Sequence, residues 1–202
     1  AIRHSITKMS HLHFVATKEY EKRVIQLGEH PDTVFNFGSP GIDNIHKLDL
    51  LSKNDFEKSI DFELGEVNFL VTFHPVTLEK NTSKEQFLEL LNAFDKLKEA
   101  KIIFTLPNSD TDGRVIIEMI NNYLAKNSDR TIAFQSLGQV RYLSALKYMS
   151  AVIGNSSSGL SEVPTFKIPT INIGDRQNGR LKADSVIDCE PKTDAILESI
   201  KK

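Results

Sequence analysis

From Val67 to Lys202 short apolar runs alternate with longer amphipathic stretches, and this alternation limits the fold more than any other feature of the sequence. Asn68–Phe73, Lys101–Leu106, Thr131–Phe134, Ala151–Ile153 and Pro169–Ile173 read as strands, rich in β-branched and aromatic residues. Between the first two, a helix opening at Thr82 or Ser83 and running to Ala100 puts Phe87, Leu90, Leu91, Phe94 and Leu97 on one stripe. Further helices are expected over Arg114–Asn127, over Val140–Met149, and from Pro191 or Thr193 to Lys202. Such an order predicts an α/β fold, a Rossmann-like parallel sheet with helices on both faces.

The residues before Val67 are less regular. Ile2–Ser10 is helix-compatible and Leu12–Ala16 strand-like. Thr17 suits the N-cap of a helix over Lys18–Leu27, with Gly28 after it. Thr33–Phe37 is a further strand, Ile42–Leu51 contains a short helix, and the charged Ser52–Gly65 reads as a connector or helical turn. The chain starts abruptly without an initiator Met and reads as a piece of something longer.

Ser150 to Arg180 is the stretch where chemistry concentrates. Strand Ala151–Ile153 runs into Gly154-Asn155-Ser156-Ser157-Ser158-Gly159, a loop with no large side chain. Strand Pro169–Ile173 runs into Gly174-Asp175-Arg176-Gln177-Asn178-Gly179-Arg180, which carries two arginines. A Gly/Ser cluster after a strand is most often only a turn. Two consecutive strands that deliver such loops to one sheet edge point further, because open α/β sheets bind ligands outside their carboxyl ends. Serine hydroxyls and backbone N–H groups suit phosphate oxygens, and guanidinium groups suit a diphosphate. The usual dinucleotide and P-loop fingerprints, Gly-x-Gly-x-x-Gly and Gly-Lys-Ser/Thr, are absent.

Other loops of the same edge offer candidates. His74 follows a strand and precedes Pro75, which biases it to an extended backbone. Its near-neutral pKa suits proton transfer or phosphate contact, although an idle surface histidine would look the same. Asn108, Asp110 and Asp112 share a polar loop whose plain explanation is an Asx turn and helix cap. Glu162, placed in the first turn of a helix, helps the helix dipole or accepts from ribose hydroxyls. His11 and His13 lie two apart without a carboxylate or cysteine near them in sequence, a poor zinc set. Ser158 lacks the Gly-x-Ser-x-Gly frame of a hydrolase elbow.

Composition removes several classes. With 25 basic and 27 acidic residues the net charge is -2, which argues against nucleic acid as a partner. A single cysteine, Cys189, rules out an internal disulfide framework and a thiolate zinc cluster. No apolar run approaches the ~18 residues of a membrane span, and nothing resembles a signal peptide, so a cytoplasmic location with no membrane partner is expected.

Several of these motifs together resemble one family. Phe73-His74-Pro75-Val76-Thr77, the Gly154–Gly159 loop with Glu162, and Gly174–Arg180 are similar to the C-terminal half of the hydrolysing UDP-N-acetylglucosamine 2-epimerases. Arg3–Lys8, His11–Phe14 and Phe37–Asp43 resemble the part just before it. The resemblance implies a two-domain GT-B-like fold with the active site between Rossmann-like domains. Residues 1–32 would then be a remnant of the N-terminal domain and interdomain segment, and 33–202 the C-terminal nucleotide-binding domain.

It also implies roles. His74 matches a catalytic histidine. Ser156 and Ser157, with Asn155 and Gly159, match the diphosphate loop. Glu162 matches a carboxylate near the ribose, and Arg176 and Arg180 the basic loop by the nucleotide. His4 and Asn108 are secondary candidates. The non-hydrolysing branch carries His-Arg-Arg-Glu at His74–Thr77 and Asp-Ser-Gly-Gly at Asn155–Ser158, and both departures favour the hydrolysing branch.

The implied reaction takes UDP-N-acetylglucosamine and water to UDP and N-acetylmannosamine through a glycal, for sialic or related nonulosonic acid synthesis, with no metal and no cofactor. The carboxylates that handle the C2 proton would lie upstream of Ala1, so this chain alone is expected to be inactive. The complete protein is expected to be a homo-oligomer. The competing readings are a GT-B glycosyltransferase and a noncatalytic nucleotide-sugar-binding module.

Overall fold

The computed structural model describes residues 2–75, 82–107 and 111–202. They divide into two compact units, residues 1–48 and 49–202. The strand that the sequence reading gave to the larger domain, Thr33–Phe37, instead forms β2 (Val34–Asn36) of the small unit. There it pairs in parallel with β1 (His13–Val15), His13 opposite Val34. A boundary at residue 32 would cut these paired strands apart, so the division falls later, at Leu48.

In the small unit the remaining elements are α1 (Ile2–Met9), α2 (Lys18–Gln26) and α3 (Pro40–Lys47). Thr17 caps α2 as its residue type suggested, accepting from the Tyr20 N–H at 3.2 Å. Phe14, Phe35 and Phe37 form a stacked row with centroids 5.6 to 6.1 Å apart, and Phe14 and Phe37 are exposed. Two strands are too little sheet to be stable by themselves. His13 is buried and meets Glu29 at 3.1 Å; Lys8 meets the other oxygen of that carboxylate at 2.6 Å. Hydrogen bonding to Lys8, ahead of the contact with His13, holds the Glu29 carboxyl below its usual range. The carboxylate absent from the sequence neighbourhood of His13 thus arrives through the fold, as part of an ion cluster.

The larger unit opens with α4 (Lys53–Ile60), a true helix within the stretch that read as a connector. Ser52 caps it by accepting from the Asp55 N–H at 3.2 Å, and left-handed Asp61 ends it. Strands and helices then alternate: β3 (Asn68–Thr72), α5 (Ser83–Asp95), β4 (Lys101–Thr105), α6 (Thr111–Lys126), β5 (Thr131–Phe134), α7 (Gly138–Leu146) and β6 (Ala151–Gly154). The one-turn α8 (Ser158–Ser161), β7 (Thr170–Ile173), β8 (Val186–Cys189) and α9 (Thr193–Ile200) follow.

All pairings in this unit are parallel, in the order β5-β4-β3-β6-β7-β8. This is the Rossmann-like sheet that the alternation implied. The unforeseen member is β8, an edge strand whose half-exposed Val-Ile-Asp-Cys gives no continuous apolar run. α5 also stops short of the expected Ala100, at Asp95.

Alternate residues of the central strands are buried toward opposite faces, as expected for a sheet covered twice. Phe69, Val71, Ile102, Phe104, Ile153 and Ile171 join Phe87, Leu90 and Phe94 of α5, Ile116 and Ile120 of α6 and Ile196 of α9 in one core. Leu70, Ile103 and Val152 are equally buried on the alternate positions, and α4 packs against α7.

Candidate functional site

The strand order creates the site. β3 is the first strand of the larger unit, and it has β4 on one side and β6 on the other. The chain therefore builds outward twice from β3, and the loops leaving β3 and β6 diverge to opposite sides of the sheet. Ligands of open α/β sheets sit at such a switch point. His74 stands just past β3, the Gly154–Gly159 loop leaves β6, and the Gly174–Arg180 loop leaves β7, the next strand over. Gly154 pairs with Asn172, so the serine and arginine loops start side by side.

Gly154 is where the main chains approach most closely. Its φ is +139°, a conformation suited to glycine, and a Cβ there would collide with the Thr72 carbonyl. Asn155 follows, 1% exposed. Its N–H donates to the Thr72 carbonyl at 3.1 Å. Its side-chain Oδ1 accepts from the His74 N–H at 2.7 Å, and Nδ2 donates to the His74 carbonyl at 2.8 Å. Its own carbonyl accepts from Arg176 Nη1 at 2.9 Å and from Gln177 Nε2 at 2.7 Å.

The structure thus joins His74, Asn155 and Arg176 directly. Burial, and then the neighbouring Arg180 charge, depress the Arg176 pKa. Both arginines keep exposed surface, and of the two it is Arg176 that hydrogen-bonds to the serine loop.

His74, Ser156, Ser158 and Glu162 line a cavity of about 430 Å³, together with Thr72, Thr105, Tyr142 and the 135–139 segment at the start of α7. The Ser156 hydroxyl accepts from the Ser158 N–H at 3.4 Å, a capping contact. Ser157, the N-cap residue of α8, makes no side-chain capping bond, so the plain turn-and-cap explanation does not account for its hydroxyl. Among the described residues no partner takes the backbone N–H of Ser156 or Ser157. Gly159 is buried against Thr170, whose hydroxyl donates to the Gly159 carbonyl at 2.8 Å.

Glu162 corrects one expectation. It is the C-cap of the one-turn α8 rather than part of its first turn, and it also opens the short 3-10 helix Val163–Phe166, where its side chain makes no capping bond.

His4 lies exposed on α1 of the small unit. Asn108, with Asp110, falls outside the described residues. Among the described residues no group of three or more His, Cys, Asp or Glu could hold a metal ion, and no helix is long and apolar enough to cross a membrane.

Sequence reasoning missed four contributors. Tyr142 pairs its hydroxyl with Ser158 Oγ at 2.6 Å. Burial pushes the phenol up to about 12, against the Ser158 hydrogen bond and with a small push from Glu162, so it stays neutral at pH 7. Thr72 and Thr105 join hydroxyls at 2.5 Å on the cavity wall. Gln177, 1% exposed, belongs to the arginine loop itself and turns its amide onto the Asn155 carbonyl. Position in a helix does mark Tyr142 as adjacent to the carboxyl edge, but nothing in its neighbours singles it out. A second cavity of about 520 Å³ opens at the amino ends of the strands, lined by Phe69, Leu97, Ala151, Ile171, Ile187 and Ile200 among others. It is apolar, and neither His74 nor any residue of the serine loop lines it.

The family model for UDP-N-acetylglucosamine 2-epimerase matches residues 1–202. The chain is 48% identical over 190 residues to the GDP/UDP-N,N'-diacetylbacillosamine 2-epimerase (hydrolyzing) of Campylobacter jejuni, covering 94% of this chain and 50% of the relative. It is 44% identical over 200 residues to the polysialic acid biosynthesis protein P7 of Escherichia coli, covering 98% of this chain and 50% of the relative. The chain spans about half the length of these curated relatives. Among solved structures, the S. aureus MnaA-UDP co-structure superposes with a TM-score of 0.70 at 16% identity, over 97% of this chain and 51% of that one, which shows a shared fold.

Proposed function

The chain belongs to the UDP-N-acetylglucosamine 2-epimerase family, and from that membership we propose that the complete protein is a hydrolysing 2-epimerase of a nucleotide-linked 2-acetamido sugar, with UDP-N-acetylglucosamine as first candidate. This chain supplies the nucleotide-binding half, and the small unit belongs to the partner domain. The observation that carries the reading is the convergence of His74, the serine loop and the arginine loop on one switch point. The name of the Campylobacter relative makes UDP-N,N'-diacetylbacillosamine, or a GDP-linked sugar, the second candidate. Work on a nucleotide sugar suits a cytoplasmic, homo-oligomeric enzyme.

In this reading a base supplied by the other half removes the C2 proton while the nucleoside diphosphate leaves C1. The glycal that results takes up water and is released as the free 2-epimer. Departure gathers negative charge on the diphosphate. The N–H groups of Ser156 and Ser157, their hydroxyls and the exposed Arg180 are suited to receive it. Glu162 is placed to accept from ribose hydroxyls, and His74 stands nearest the sugar. The deciding experiment incubates the complete protein with each candidate nucleotide sugar in D2O. Proton NMR should show a free 2-epimer with deuterium at C2. A nucleotide-linked epimer would move the protein to the non-hydrolysing branch, a glycoside formed only with an acceptor would make it a transferase, and binding without turnover a noncatalytic module.

The loop assignment has its own test. Ser157→Ala and Arg180→Ala should each weaken UDP by a hydrogen bond to an ionised partner, about 1.5–3 kcal/mol, while the feebler binding of uridine stays unchanged in calorimetric titration. Equal losses for both ligands, or none, would remove these residues from the diphosphate site.

A further inference from the structure

Asn155 is 1% exposed, and both its side-chain oxygen and its side-chain nitrogen are engaged inside the protein, unlike a side chain that presents itself to a nucleotide. Its amide side chain grips both backbone groups of one residue, the His74 N–H and the His74 carbonyl. This is the pattern by which a neighbouring strand would hold that residue, so the side chain adds one more rung to the β3–β6 ladder after the strands have ended. The grip fixes the peptide planes on either side of His74, and with them the direction of its Cα–Cβ bond. Pro75 narrows the same backbone from the other side. Behind Asn155, Arg176 Nη1 and Gln177 Nε2 both donate to its carbonyl and so engage both lone pairs. The buried Gln177 makes this a fixed wall rather than a surface contact.

We propose that Asn155 is a positioning residue for His74, and that the Arg176–Gln177 pair holds Asn155 in turn, so that the arginine loop sets where the histidine stands. This rests on the reading of the crevice as the epimerase site. It moves Asn155 from ligand contact to support and gives Arg176 a task inside the protein, leaving Arg180 as the more available charge.

The test uses the complete protein. Asn155→Ala removes both bonds to His74, while Asn155→Asp keeps an acceptor for the His74 N–H and loses the donor. A misplaced catalytic group costs up to about 100-fold in rate. For Asn155→Ala we expect a fall in kcat of that order with the Kd for UDP changed less than ~3-fold, and an intermediate fall for Asn155→Asp. In a His74→Ala background the same change should have almost no further effect on kcat, because groups acting through one another are non-additive. Losses that multiply, or a UDP affinity that falls in step with kcat, overturn the proposal.

A second arm needs no turnover. The His74 imidazole resonance, assigned by its loss in His74→Ala, should move in Asn155→Ala without substrate. An unmoved resonance overturns the positioning role. A moved resonance in a protein that converts no nucleotide sugar leaves the positioning role standing and fails the proposed activity instead. Should Asn155→Ala not fold, Asn155→Asp carries both arms.

Discussion

Gly154→Ala should cost about 2–6 kcal/mol of stability and remove the crevice with it. The expected loss has two sources. A residue with a Cβ held at φ +139° is strained by about 1–3 kcal/mol. The added methyl also meets main chain, the Thr72 carbonyl, and overpacking against atoms that cannot swing aside costs about 1–3 kcal/mol more. That carbonyl accepts the Asn155 N–H, so any relief by backbone movement pulls apart the β3–β6 junction that places His74. Gly179→Ala is the control. Gly179 also has a positive φ, +76°, but nothing lies within 4 Å of its would-be Cβ, so only about 1 kcal/mol is expected. Urea titrations of both variants compare the two. Equal costs would mean that the close approach at Gly154 is relaxed in solution.

His74→Ala in the complete protein should lower kcat by about 100- to 10,000-fold, the usual contribution of a positioned acid or base. UDP affinity should change little. The reason is the assignment proposed above: His74 leaves the strand next to the serine loop and shares its cavity, while the proposed diphosphate contacts are the loop N–H groups and not the imidazole. Parallel kcat measurement and UDP titration decide. Loss confined to UDP affinity would reassign His74 to phosphate binding.

The parallel sheet was legible because buried parallel strands must be continuous apolar runs, as Phe69–Val71 and Ile102–Phe104 are. The edge strand β8 was not, since an edge needs burial on fewer sides and tolerates Asp188 in its middle. The small-unit strand Val34–Asn36 was recognised but given to the wrong neighbour, because sequence displays a strand's type and hides its partner. At the site, Ser156, Glu162 and His74 were picked out as candidates from loop chemistry, and all three line one cavity. The supporting contacts of Gln177 and Tyr142 were invisible. They depend on which side chains two distant loops bring within 3 Å, and no spacing along the chain encodes that.

The strand order also sets a timetable. His74 and Asn155 are joined although they stand 81 positions apart in the sequence. At about 5–20 residues per second, a ribosome needs roughly 4–16 seconds between making the first and the second. Throughout that interval β3 can pair with β4, its neighbour in both sequence and space, while its other edge stays bare. Bare edges recruit foreign strands. The emerging polypeptide is therefore most open to wrong pairing along the very line where its ligand crevice will form, and the arrival of Ala151–Gly154 both seals the edge and completes the crevice floor.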